Sequence, residues 1–250
     1  MRFLKLTIAY DGTDFAGWQV QPNERTVQQT LERAIASVTG EEVRATASGR
    51  TDAGVHAVGQ VVSVALRSAL PAETLCRALN ANTPHDLVVM DVTEATEGFH
   101  AIRDATGKRY RYVIQDGRLK DLFSRAYAWH IPQPLDDNAM REAAALLVGR
   151  HDFASFEAAG SERKTTVRHV TDLTVERTSE NRFPRITIEI AADGFLYNMV
   201  RNIVGTLVEI GRGNQPVTWI NDVLHAKDRK VAGPTAPPKG LFLVSVDYDE

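Results

Sequence analysis

A chain of 250 residues with 43% hydrophobic and 24% charged residues has the makeup of a soluble globular protein, long enough for one large core or two small ones. A single cysteine, Cys76, excludes an internal disulfide and a multi-cysteine zinc site, and no stretch approaches the roughly 20 apolar residues of a membrane span. The net charge of -3 does not advertise a nucleic-acid binder, although local patches rather than the sum decide phosphate contact.

The opening "MRFLKLTIAYDG" lacks the apolar run and cleavage site of a leader, so a reduced, cytoplasmic setting is expected. Apolar residues alternate as in a strand from Phe3 to Tyr10, and "YDGTD" supplies a turn. Thr26, with Gln29 three residues later, opens a helix as a capping box. Val27, Leu31, Ala34, Ile35 and Val38 give that helix an apolar stripe, and Gly40 stops it. Strands are predicted near Val43–Ala47 and over Gln60–Leu66, a helix from Pro71 to about Asn80, and a strand over Leu87–Val92.

"KRYRYVI", Lys108–Ile114, reads as a strand and Leu135–Val148 as a helix that ends at Gly149. Val170–Glu176 and Arg185–Ile190 form a hairpin-like pair across the polar "RTSENRFP". Met199, Ile203, Leu207 and Ile210 recur at helical spacing up to Gly211, Val217–Ala226 is a further helix, and "LFLVSVDY" is a closing strand. Strands with intervening helices, spaced alike in each half, predict an α+β chain of two units, 1–105 and 106–250, with the break near Ala105–Lys108.

The densest polar stretch is "ASGRTDAGVHA", Ala47–Ala57. Its glycines permit positive φ and close backbone approach. An aspartate two positions from an arginine is favoured in its ionised form, and an ionised Asp52 beside Arg50 can act as nucleophile or base. The same residues also suit a simple turn in which Asp52 caps Gly54, and His56 suits a packed strand position as well as a ligand. Tyr110, among Lys108, Arg109 and Arg111, suits stacking on a nucleobase with phosphates at its neighbours; it equally suits a core aromatic.

Two further basic clusters stand at Arg163, Lys164, Arg168 and His169, and at Arg201 and Arg212. The pairs His85-Asp86 and His151-Asp152 invite a metal-dependent phosphohydrolase reading, but they lie far apart and no further histidine sits at helical spacing. Phosphate-loop and dinucleotide motifs are missing.

In "YDGTDFAGWQ", "SGRTDAGVHAVGQV", "FHAIRDATGKRYRY", "NMVRNIVGTLVEIG" and "GLFLVSVDY" the chain resembles the tRNA pseudouridine synthase A family along essentially its whole length. The resemblance implies the pseudouridine synthase fold, two similar halves with an active-site cleft between them. It implies isomerisation of uridine to pseudouridine at nucleotides 38, 39 and 40 of the tRNA anticodon stem-loop, without metal or organic cofactor. By the same resemblance Asp52 is the catalytic nucleophile. Arg50 is expected to pair with Asp52 and to help hold the target nucleotide out of its stack. Tyr110 is expected to stack on the uracil, and Arg201 to contact Asp52 or a phosphate. A homodimer with tRNA across both subunits is also implied, which would double each basic patch. The alternative is a non-catalytic RNA-binding protein of the same fold, which would have no need for Asp52.

Overall fold

The computed structural model describes residues 1–160, 165–178 and 182–249. Two compact units divide the chain: Met1–Thr106 together with the residues from Phe242 onward, and Gly107–Leu241. Each is α+β, with a mainly antiparallel sheet and flanking helices.

Unit 1 opens on β1 (Arg2–Tyr10), in which Leu4, Leu6, Ile8 and Tyr10 alternate into the core. Helix α1 (Val27–Thr39) starts where the Thr26 hydroxyl accepts the Gln29 N–H and ends at Gly40 in the left-handed region, φ 73°. The two-residue β2 (Thr46–Ala47) replaces the longer strand expected there. Strand β3 (His56–Leu66) begins earlier than expected, inside the "GRTDAGVHA" motif. Helix α2 (Ala72–Asn80) and β4 (Leu87–Ala95) complete this stretch. β1 lies between β3 and β4, antiparallel to both, with Leu6 opposite Val62 and Val92. Asn80, at the end of α2, ties that helix to β4: its amide donates to Val89 O (2.8 Å) and accepts from Val89 N (2.9 Å).

Unit 2 contains β5 (Ala105–Asp116, from Gly107), β6 (Trp129–Ile131), α3 (Asp137–Ala145), β7 (Gly149–Asp152), β8 (Val167–Thr178), β9 (Arg185–Ala192), α4 (Met199–Gly211) and α5 (Trp219–Ala226). The sheet runs β5-β9-β8-β7 with antiparallel neighbours, and β6 adds to β5 in parallel. Within the described residues β8 and β9 pair as expected; residues 179–181 of the connection lie outside them. The sequence showed one apolar stripe on α4, but nearly every residue of that helix is buried. Buried Asp116 at the end of β5 receives both terminal nitrogens of Arg177 (2.9 and 3.0 Å), and Arg177 also reaches Asp137 and the Leu135 carbonyl. A carboxylate taken out of water needs such partners, and these ones tie β5, β8 and the start of α3 together.

The last strand, β10 (Leu241–Tyr248), returns to unit 1 and lies parallel to β3, with Phe242 opposite His56 and Leu243 opposite Ala57. The expected division placed everything after residue 105 in the second half; the structure assigns the closing strand to the first. Gly59 of β3 is required by this pairing, because a Cβ there would stand 2.2 Å from Val244 O.

Candidate active site

Asp52 stands in the loop between β2 and β3, and that loop is clamped from below by a polar network. Gln60 of β3, fully buried, donates from Nε2 to Gly49 O (2.9 Å) and to the Tyr10 hydroxyl (3.5 Å), and its Oε1 accepts from Ser48 Oγ (2.7 Å). Every polar atom of the amide is therefore used. The Tyr10 hydroxyl and Thr51 Oγ1 share a further hydrogen bond (2.8 Å) in which either oxygen can donate. Burial pushes the Tyr10 phenol up to about 12, against the lowering effect of its bonds to Thr51 and Gln60. The clamp beneath Asp52 is thus uncharged at neutral pH.

The segment "FAGW" holds the loop from the side. Trp18 N–H donates to Thr51 O (3.0 Å), and Gly54 N–H donates to Phe15 O (3.3 Å). Gly17, at φ 93°, admits no side chain: a Cβ would meet Thr51 O at 2.7 Å. Gly12 is equally constrained, with Val55 O at 2.0 Å. Two of the motifs that carry the family resemblance therefore pack backbone to backbone. Asp52 is half-buried, its own carbonyl accepting from Val55 N–H (3.1 Å).

The Arg50 side chain is exposed. Thr51, the residue between Arg50 and Asp52, turns inward to the Tyr10 hydroxyl. His56 is a packed strand residue, 1% exposed, whose Nδ1 accepts the Gly12 N–H (3.0 Å) and whose ring stacks on Phe242 at 4.7 Å.

Tyr110 and Arg201 belong to unit 2. Tyr110 lies on β5 opposite Ile190, half-buried, with its ring edge-on to Phe195 (5.1 Å, 87°). Arg109 and Arg111 point to the other face of the strand, as the period of two requires. There Arg109 pairs with Asp172 (2.8 Å) and Glu189 (3.4 Å), and Arg111 with Glu189 (2.7 Å). Of the expected frame of bases, Arg109 and Arg111 are thus turned away from Tyr110 and neutralised, whereas Lys108 shares its face of the strand. Tyr112, on the Tyr110 face, is fully buried and donates to Pro237 O (2.8 Å). Arg201, in the first turn of α4, donates from Nε to Ala236 O (2.7 Å) and from Nη1 to Asn198 Oδ1 (2.9 Å). Asn198 makes that bond from a left-handed backbone, φ 59°.

Several of the other basic and His-Asp positions are also engaged within their units. Arg103 pairs with Asp104, Arg212 with Glu209, Asp86 with Arg25, and Asp152 with Lys227 (2.8 Å). Arg163 and Lys164 lie outside the described residues. The sequence reading missed Tyr10, Ser48 and Gln60, whose signal is a polar residue at an inward strand position or at a strand end.

A family model described as tRNA pseudouridine synthase matches residues 6–102 and 143–249. The chain belongs to this family. Among its relatives, the "tRNA pseudouridine synthase A" of Moorella thermoacetica is 48% identical over 250 residues, covering 99% of this chain and 100% of that one. Those of Thermoanaerobacter sp. (strain X514) and Limosilactobacillus fermentum are each 46% identical, covering 99% and 100% of this chain and 100% and 97% of theirs. The clamped Asp52 loop lies within the first matched stretch, and Arg201 within the second. Among the described residues, no helix is long and apolar enough to cross a membrane.

Proposed function

We propose that this chain isomerises uridine to pseudouridine in tRNA, at nucleotides 38, 39 and 40 of the anticodon stem-loop, acting in the cytoplasm as a homodimer. Membership in the tRNA pseudouridine synthase family over both units carries the reading, and the rigid presentation of Asp52 supports it. Unit 1 contributes Asp52 as the nucleophilic carboxylate and Arg50 as the brace for the displaced nucleotide. Unit 2 contributes Tyr110, which stacks on the uracil, and Arg201, which serves the carboxylate or a phosphate.

The reaction breaks the C1'–N1 bond, turns the uracil and joins C1' to C5. The C5 hydrogen leaves as a proton and N1 gains one, so atoms and electrons balance without an oxidant, reductant or co-substrate. A clamp that holds Thr51 by its carbonyl and by its hydroxyl limits where Asp52 can go, and a displacement of about 1 Å at a reacting group costs on the order of 100-fold in rate. With tRNA tritiated at C5 of uracil, the wild-type protein is expected to release tritium. Asp52→Asn is expected to release none while still binding tRNA. Wild-type release by the Asn variant would overturn the role of Asp52; a wild-type protein that binds tRNA and releases nothing would overturn the isomerase reading in favour of RNA binding alone.

A further inference from the structure

The loop Gly117–Tyr127, which joins β5 to β6, holds three large apolar side chains in solvent. Leu119, Leu122 and Phe123 are 56%, 65% and 93% exposed. Apolar groups gathered on one exposed segment mark an interaction site more often than isolated ones do. The loop is also firmly built. Gln115, fully buried on β5, donates from Nε2 to Leu119 O (2.6 Å) and accepts the Asp121 N–H (3.0 Å). The Asp121 carboxylate accepts from Phe123 N–H (3.0 Å), Ser124 Oγ (2.7 Å) and Arg185 Nη2 (3.1 Å). Tyr127 N–H closes a turn on Ser124 O, and Gly117 N–H donates to Ile131 O. The apolar side chains are therefore held outward by an ordered backbone.

Charge identifies the occupant. Arg118, Lys120 and Arg125 are exposed, and among the described residues none of them forms an ion pair. Arg103, Arg109, Arg111 and Arg212 by contrast are all neutralised by carboxylates. The loop's one acid, Asp121, is turned inward and used up by its own hydrogen bonds. Arg118 and Arg182 also line a surface pocket with Leu119 and Pro184. An exposed ring among unneutralised cations is what base stacking with phosphate contact requires. A second copy meeting the same patch across a two-fold axis would set three cations against three.

We propose that the loop Gly117–Tyr127 is a separate RNA-binding element: Phe123 stacks on an unpaired base of the tRNA, and Arg118, Lys120 and Arg125 take neighbouring phosphates. This rests on tRNA being the substrate. The test measures tRNA affinity across a salt series for the wild type, Phe123→Ala, Phe123→Trp and the triple variant Arg118→Ala/Lys120→Ala/Arg125→Ala. The oligomeric state of each protein is followed by light scattering, and tritium release by the wild type is run beside them.

Phe123→Ala is expected to weaken binding roughly 5- to 100-fold, the range for losing one stacked base, and Phe123→Trp to stay near the wild type. The triple variant is expected to flatten the dependence of log K on log salt by about 2. Wild-type affinity in Phe123→Ala overturns the proposal. So does a Phe123→Ala protein whose oligomer dissociates and whose affinity falls only in step with it, because the patch then belongs to a second copy. If the loop variants lose affinity as expected but the wild type releases no tritium, the loop stands and the isomerase reading alone falls.

Discussion

Two buried glutamines, Gln60 in unit 1 and Gln115 in unit 2, shape loops by the same device and to different ends. Each sits on a strand beside its loop, donates from Nε2 to a loop carbonyl, and accepts at Oε1 from a loop donor. Over Gln60 the network continues through Tyr10 to Thr51, and it leaves Asp52 half-buried at the end of a neutral clamp. Over Gln115 the acid of the loop is drawn inward, and apolar and cationic groups stay outside. A side-chain amide is well suited to both, since it carries donor and acceptor together and adds no charge to the field of the site. On the proposed function the first loop places the reactive carboxylate; on the inference above the second grips the substrate.

The largest expected effect comes from breaking the first clamp. Gln60→Leu takes the Nε2 donor from Gly49 O and the Oε1 acceptor from Ser48 Oγ, and a buried polar group left unsatisfied costs about 1–3 kcal/mol. Urea unfolding should show a loss in that range or above it, and tritium release should fall more steeply than tRNA affinity. Gln115→Leu is the counterpart: a smaller loss of stability, with tRNA affinity falling because Leu119 O and Asp121 N–H lose their support. If both variants damaged turnover and affinity alike, the division of labour between the loops would be wrong.

A smaller effect is expected for Tyr10→Phe, about 1 kcal/mol for one neutral hydrogen bond, with a change in alkaline behaviour that Gln60→Leu does not share in the same form. The Tyr10 phenol, held up to about 12, keeps its proton more tightly folded than unfolded, where its value is near 10. Its contribution to stability is therefore complete below pH 10 and declines as pH rises toward 12. Urea midpoints between pH 9 and 11 should fall less steeply in the Phe variant than in the wild type.

The smallest effect is expected for Arg109→Ala. A partly exposed pair contributes about 0.5 kcal/mol, and a base neutralised by Asp172 on the face away from Tyr110 should leave tRNA affinity within about two-fold. An affinity loss matching that of Phe123→Ala would show that charge, rather than exposure and pairing, is what the RNA reads.

Local rules made the regular elements legible. Thr26 and Gly40 bounded α1, alternation revealed β1 and β5, and the α4 repeat ran to Gly211 as expected. What escaped depends on residues distant in sequence. That Arg109 and Arg111 are neutralised follows from the register of β5 against β9 and β8, and nothing near "KRYRY" announces Asp172 or Glu189. The inward contact of Thr51 depends likewise on Tyr10, at the far end of another strand. The identity of Asp52 as a candidate was visible in the motif itself; the clamp that holds it was spread over Tyr10, Ser48 and Gln60.

The parallel pairing of β10 with β3 has a consequence for how the protein is made. A nascent chain leaving the ribosome presents Met1–Thr106 well before β10 is synthesised, so unit 1 emerges with the flank of β3 beside His56 and Ala57 still unpaired. An open strand flank is a template for wrong partners. The Asp52 loop runs directly into that strand. Maturation of the loop therefore waits for β10 to be translated, and products truncated before β10 carry the Asp52 motif in a half-built sheet.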